Sequence, residues 1–137
     1  MEIEVPIRKL VKDHHGGCVL YSLAIILNKD LREILDKAKL PKDYWVSEKD
    51  LSKLEELLPI EVVDAEIYNL PLLIEKIDEE IKNYNPLAVL YKYHSVVVYG
   101  MDKKRYFVYD SHKGRKKKIK KEVLGSVAEY IIVPKIS

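Results

Sequence analysis

In the first half of the chain, apolar residues recur every three or four positions, the spacing that places them on one face of a helix. The pattern predicts helices over residues 18–28, 31–39, 48–58 and 71–83. Pro41 follows the second of these and Pro59 the third, and proline is unfavourable inside a helix. Ser47 and Asp50 have the spacing of a capping box at the start of the third helix.

The second half changes to short runs rich in β-branched and aromatic residues, which are typical of strands. The predicted strands are 87–91, 95–99, 106–109, 116–120 and 130–133, with an earlier strand at 60–67 and an extended segment at 3–7. Turn signals lie at 101–104, at 111–114 and at Gly125. Helices followed by an antiparallel sheet predict the α+β class, in one domain over residues 1–137.

Composition narrows the functional classes. Apolar residues make up 47% of the chain and charged residues 34%, as in globular proteins, and the net charge of +2 gives no reason to expect nucleic acid or an anionic membrane as a partner. The longest apolar run, 19–27, is too short to span a bilayer, and no signal peptide is evident, so we expect a cytoplasmic protein. The absence of Gln and the wealth of Lys and Glu are typical of a thermophile.

The single cysteine, Cys18, excludes an internal disulfide and a metal site built on several thiolates. It falls at the predicted start of a helix, where unpaired backbone N–H groups and the helix dipole favour a thiolate. Two glycines precede it and leave the backbone around it open. The alternative is a buried structural cysteine, because a lone Cys usually behaves as a small apolar residue.

His94 and Asp110 are the candidate partners of this thiol. His94 opens one predicted strand and Asp110 ends the next, so a hairpin between the strands returns both side chains to one end of the sheet. A carboxylate bonded to an imidazole fixes its tautomer and stabilises its protonated form. A surface histidine and a turn aspartate are the alternatives for each residue taken singly.

In order and pattern the chain resembles papain-like cysteine peptidases, specifically the bacteriocin-processing type that cleaves double-glycine leader peptides. The resemblance lies in the stretches GGCVLYSL from Gly16, HSVVVYG from His94 and YFVYDS from Tyr106. It implies a papain-like fold, with N-terminal helices packed on a C-terminal antiparallel sheet. It also implies a Cys18–His94–Asp110 triad, a peptide or protein substrate with a small residue such as glycine before the cut, and no cofactor.

Two positions depart from the pattern of that family. Papain-like enzymes have a Gln six residues before the Cys, where it stabilises the oxyanion, and this chain has Lys12 there. Lys12 could donate as a cation, or His14, His15 or Asp13 could take the place of the Gln. Loss of one such donor typically lowers the rate by about 10²–10³-fold. Ser111 follows Asp110 where the family has proline, but the carboxylate is retained.

Three further readings stay open. A papain-like scaffold without the Gln could bind peptides or proteins without cleaving them. The basic run from Arg115 to Lys121 could bind nucleic acid phosphates, although lysines on an edge strand also prevent strand-to-strand association. Histidines near Cys18 could hold zinc, a weaker interpretation because four ligands, or three with water, are needed. The zinc candidates are His14, His15, Cys18 and His112. We favour a cysteine peptidase without a metal.

Overall fold

The structure of the protein is a computed structural model that describes residues 1–12 and 17–135. Within these residues it has five α-helices and seven strands, which confirms the α+β prediction. The helices are α1 Cys18–Leu27, α2 Leu31–Ala38, α3 Glu48–Leu57, α4 Leu70–Lys82 and α5 Lys121–Val127. The strands are β1 Ile3–Glu4, β2 Ile60–Asp64, β3 Leu87–Tyr91, β4 His94–Met101, β5 Arg105–Asp110, β6 Arg115–Lys120 and β7 Tyr130–Pro134.

All seven strands form one antiparallel sheet in the order β2-β7-β3-β4-β5-β6. The short strand β1 pairs with the far end of β4, where Ile3 lies opposite Met101. A bulge between Val98 and Gly100 shifts the register of β4 against β5. Gly100 is required there, because a Cβ atom would stand 2.5 Å from the carbonyl oxygen of Ile3. The end of β4 at Gly100 and Met101 is thus packed tightly against β1, whereas the other end begins at His94.

Both faces of the sheet are buried, because side chains alternate between faces along each strand. Val97 and Tyr99 belong to the core that includes α1, α2 and α3. Val96 and Val98 face the opposite way, into a second core with α4 and α5. This two-sided burial explains why β3 and β4 are almost continuously apolar instead of alternating with polar residues.

Two of the differences from the sequence predictions have a clear local cause. The predicted strand at 60–67 ends at Asp64, because the Asp64 carboxylate accepts a hydrogen bond from the Glu66 N–H and a 3₁₀ turn follows over Ala65–Ile67. Gly125 lies inside α5 rather than in a turn. A Cβ at Gly125 would meet the Leu70 side chain at 2.7 Å, so the glycine allows α5 to pack closely on α4.

Two connections position the site. A two-residue turn joins β3 to β4, and both of its residues, Lys92 and Tyr93, have positive φ, as a type I′ turn requires. The β4–β5 hairpin pairs Val97 with Tyr109, so the next residue, Asp110, continues toward the His94 end of β4. The hairpin that the sequence predicted therefore brings these two polar residues to one end of the sheet.

Candidate active site

Cys18 is the first residue of α1 and only 8% exposed. Gly17 before it has φ of 75°, a left-handed conformation that glycine adopts readily and most residues avoid. No side chain caps this end of the helix among the described residues. The first backbone N–H groups of α1 are therefore directed at the region around the sulfur, as the sequence predicted.

The Cys18 thiol donates a hydrogen bond to the backbone carbonyl of Tyr93, with 3.9 Å between sulfur and oxygen. Burial raises the pKa of the Cys18 thiol above its ordinary value, and this effect exceeds the opposing ones. The positive charge of Lys12 acts against it, as do the backbone N–H groups of Val19 and Ser95. Burial thus favours the protonated thiol, consistent with its role as a donor to a carbonyl.

The His94 imidazole and the Asp110 carboxylate lie within hydrogen-bonding distance, with 3.2 Å between Nε2 and Oδ2. The Asp110 side chain is 4% exposed and the His94 side chain 27%. The other carboxylate oxygen of Asp110 accepts the backbone N–H of His112 at 2.9 Å. Because a carboxylate can only accept, it favours the proton on Nε2 of His94, which leaves Nδ1 as the basic nitrogen.

Tyr91 covers this pair on one side. Its ring meets the His94 ring edge to face, with centroids 5.6 Å apart and an interplanar angle of 87°. Burial first, and then the negative charge of Asp110, raise the pKa of the Tyr91 hydroxyl. Tyr91 therefore lies close enough to the carboxylate to be affected by its charge, and its ring packs against one side of the imidazole.

Cys18 and His94 line the same open cleft, which has a volume of about 660 Å³. The exposed rings of Trp45 and Tyr93 stand at its edge in a T-shaped contact, with centroids 6.1 Å apart. In the described part of the chain, no hydrogen bond joins the Cys18 sulfur to the imidazole. The structure thus pairs His94 with Asp110 directly and places the thiol in the same cleft, bonded to the Tyr93 carbonyl.

Lys12, the residue at the position of the family's Gln, also lines the cleft and is 7% exposed. Its backbone N–H donates to the Ser111 carbonyl at 3.0 Å, which ties the segment before the helix to the end of β5. The second predicted oxyanion donor, His14, lies outside the described residues, as do Asp13 and His15. The charge of Lys12 is therefore close enough to the Cys18 thiol to affect its pKa.

The structure also locates the residues behind the zinc, nucleic-acid and membrane alternatives. No group of three His, Cys, Asp or Glu side chains within residues 1–12 and 17–135 is arranged to hold a metal, and His112 lines the cleft. The basic run forms β6 at the sheet edge, where the Lys116 and Lys118 amines lie over the rings of Tyr99 and Phe107. Nowhere in the described ranges is a helix both long and apolar enough to cross a bilayer.

Sequence reasoning did not find two other features of the site. One is the Tyr93 carbonyl, whose position follows from the strained turn rather than from a side chain. The other is a hydrogen bond of 2.8 Å between the buried hydroxyls of Ser95 and Ser22. The only available signal for this bond was a polar residue within each of two otherwise apolar runs.

The sequence matches no protein-family model, and no curated protein is found to match it. Solved structures are similar in fold. A double-glycine motif protease from an AMS/PCAT transporter, in complex with its leader peptide, has a TM-score of 0.64 and 16% identity, with 96% of this chain and 94% of that chain covered. The peptidase domain of Streptococcus ComA has a TM-score of 0.65 and 14% identity, with 93% and 97% covered.

A third neighbour is UfSP from C. elegans, with a TM-score of 0.59 and 14% identity. It covers 97% of this chain but only 34% of its own length. The chain thus has the fold of papain-like, double-glycine peptidase domains, which confirms the resemblance stated from sequence. At this level of identity the likeness concerns the fold, and the chemistry has to be argued from the cleft.

Proposed function

We propose that the protein is a cysteine peptidase in which Cys18 is the nucleophile, His94 the general base and Asp110 the group that orients His94. The observation that carries this proposal is the 3.2 Å contact between His94 and Asp110. His94 lies at the end of the sheet and lines the same cleft as the Cys18 thiol. A buried carboxylate on one nitrogen of an imidazole beside a thiol is the arrangement that acyl transfer by a thiol requires.

The reaction begins from a neutral thiol, because burial raises the pKa of Cys18. The Cys18 sulfur attacks the substrate carbonyl carbon, and its proton passes to Nδ1 of His94. The imidazolium formed is stabilised by Asp110 and returns the proton to the departing amine as the peptide C–N bond breaks. Water, deprotonated by His94, then attacks the thioester, and the sulfur leaves and regains a proton.

Lys12 and the helix start stabilise the negative charge that develops on the carbonyl oxygen. The backbone N–H of Cys18 lies at the open end of α1, and Lys12 brings a positive charge to the same cleft. In this role the cation replaces a neutral amide donor. It also favours the thiolate that forms transiently, because a nearby positive charge opposes the effect of burial.

The substrate we propose is an extended peptide with a small residue, such as glycine, before the cleaved bond. A volume of about 660 Å³ is within the range of pockets that bind a drug-sized ligand, and the cleft is open to solvent, so the rest of an extended peptide can continue beyond it. The similar transporter protease is described in complex with a leader peptide. The small-residue preference rests on the resemblance to the double-glycine family.

The test is covalent labelling with a peptide acyloxymethyl ketone that ends in Gly-Gly, because this warhead reacts with an activated cysteine held beside a peptide-binding cleft. We expect the intact protein to be labelled at Cys18 in proportion to time, and we expect no labelling of Cys18→Ala. His94→Ala should react at least about 10²-fold more slowly, since it lacks the base.

Iodoacetamide, which needs no peptide cleft, serves as the comparison reagent, and circular dichroism shows whether each variant is folded. Equal labelling rates for the intact protein and a folded His94→Ala variant would refute the proposal. Binding of a Gly-Gly peptide without labelling or cleavage would identify a binding module instead. Salt-sensitive retention of RNA or DNA, lost when Lys117 and Lys120 are replaced by Glu, would identify the nucleic-acid alternative.

A further inference from the structure

Behind the cleft, the helix that carries the thiol and the strand that carries the imidazole are joined by a pair of buried hydroxyls. Ser95 Oγ donates to Ser22 Oγ at 2.8 Å, and the two residues are 0% and 1% exposed. Ser22 lies one helical turn after Cys18, and Ser95 directly follows His94. The bond therefore connects the next turn after the nucleophile to the next residue after the base.

Core filling does not account for these hydroxyls. The neighbours of Ser22 in α1, Tyr21 and Leu23, are buried members of the core side of the protein, so nothing in the packing requires a hydroxyl at this position. An alanine at either serine position would fill nearly the same volume and would not require a polar group to leave water. The pair adds direction, because a hydrogen bond requires a particular angle as well as a short distance, whereas the hydrophobic effect is non-directional.

Ser95 also interacts with the thiol through its backbone. The backbone N–H of Ser95 lies close enough to the Cys18 sulfur to favour its ionised form. A shift of α1 along the sheet would therefore change two distances together, that from the sulfur to the Ser95 N–H and that from the sulfur to the imidazole. The hydroxyl pair opposes this shift, since Ser22 and Cys18 move as one helix.

We propose that Ser22 and Ser95 are positioning residues, whose hydroxyl pair fixes the register of the thiol's helix against the strand of the base. This inference rests on the proposed peptidase function and adds the device that aligns its two reacting groups. The residues do not touch the substrate. They act through Cys18 and His94 by limiting how far α1 slides or rotates on β4.

The experiment measures labelling by the Gly-Gly acyloxymethyl ketone over a range of probe concentrations. This separates the maximal rate of covalent bond formation from the concentration of half-saturation. We expect Ser22→Ala and Ser95→Ala each to lower the maximal rate about tenfold with half-saturation unchanged, because misalignment affects attack rather than binding. The double variant should lower the rate no further than either single variant, since one bond is lost in all three.

Thermal unfolding of the same variants measures the effect on stability separately from the effect on the labelling rate. Each single variant leaves one buried hydroxyl unpaired and should melt at a lower temperature, whereas the double variant should recover part of this loss. The control is Ser126→Ala on α5, which removes a hydroxyl bonded to the Val123 carbonyl on the surface and should leave the labelling rate unchanged.

Lower melting temperatures with an unchanged maximal labelling rate would overturn the proposal and leave the pair a structural bond. The proposal is also overturned if the fold-decrease in the labelling rate of the double variant equals the product of the two single-variant decreases, because the hydroxyls would then act separately. These outcomes are distinct from failure of the peptidase proposal. In that case His94→Ala itself would leave labelling unchanged.

Discussion

The ring of Tyr91 stands edge-on to the ring of His94, with 5.6 Å between the centroids, and it belongs to the strand that precedes the His94 strand. We expect this ring to protect the bond between His94 and Asp110 from water, which strengthens an ionic hydrogen bond. Tyr91→Ala should therefore lower the maximal rate of peptide-probe labelling about tenfold. The measurement is the concentration series used to separate attack from binding.

Tyr91→Phe is the matched control for this prediction, because it keeps the ring and removes only the hydroxyl. It should label at the rate of the unaltered protein. A loss of rate in Tyr91→Phe as large as that in Tyr91→Ala would show that the hydroxyl, and not the ring, matters to the site.

The Asp110 carboxylate should matter through its charge and its acceptor character. In Asp110→Asn the amide nitrogen facing His94 can only donate, which favours the other tautomer and removes the negative charge that stabilises imidazolium. We expect a decrease in labelling rate of at least about 10²-fold. Little change in folding is expected, because the amide oxygen can still accept the His112 N–H, as the Oδ1 atom does now.

The measurement is the labelling rate of Asp110→Asn at several pH values, with the melting temperature as the check on folding. A folded Asp110→Asn protein that labels as fast as the unaltered protein would show that His94 needs no carboxylate, and the role proposed for Asp110 would have to be abandoned.

Lys12 should set the ionisation of the thiol. Burial raises the pKa of Cys18 above its ordinary value of 9.0, and the Lys12 charge acts in the opposite direction. Lys12→Met should raise the pKa further, so that alkylation by iodoacetamide becomes slower at any pH below that pKa. Lys12→Arg keeps the charge and should preserve the profile. The measurement is the alkylation rate between about pH 6 and pH 10, a range that contains the ordinary pKa of a thiol.

The sign of the linked effect on folding follows from the same shift. Because the folded protein holds the thiol proton more tightly than the unfolded chain, this group favours folding below about pH 9 and ceases to do so as the pH rises through its folded pKa. Cys18→Ala should remove this contribution to the alkaline loss of stability.

An alkylation profile that is the same in Lys12→Met as in the unaltered protein would contradict the role of the cation.

A network far from the cleft should affect stability without affecting labelling. The Lys121 amine lies 3.1 Å from Oδ2 of Asp78, and the Tyr106 hydroxyl donates to Oδ1 at 2.8 Å. Asp78→Ala leaves the buried Lys121 cation without its carboxylate and should lower the free energy of unfolding by about 3 kcal/mol. The labelling rate of the folded fraction should be unchanged.

Lys121→Met combined with Asp78→Ala tests the cause of that loss. Since both charges are then absent, the double variant should be more stable than Asp78→Ala alone, as chemical denaturation would measure. If the double variant is the less stable of the two, the loss does not arise from an unpaired buried cation.

Sequence patterns predicted the long elements and the meeting of His94 with Asp110, because helical spacing and hairpin topology are local properties. Four features depended on long-range packing and were not predictable in this way. The pairing of β1 with β4 needs only two residues, the helix around Gly125 depends on close contact with α4, and the Ser22–Ser95 bond depends on the exact seating of a helix on a sheet. The hydrogen bond from the thiol to the Tyr93 carbonyl belongs to the same class, since no side-chain pattern encodes a backbone oxygen.

The turn between β3 and β4 has a practical consequence for engineering. Lys92 and Tyr93 both adopt left-handed backbone angles that cost an ordinary residue about 1 kcal/mol each, where Asn-Gly is the preferred pair. Exchanging these two residues for Asn-Gly relieves that strain and keeps the backbone oxygen that accepts the thiol. The turn is therefore a position at the edge of the cleft where heat resistance can be increased without losing the carbonyl that accepts the thiol proton, while the Tyr93 ring is removed and Trp45 stays.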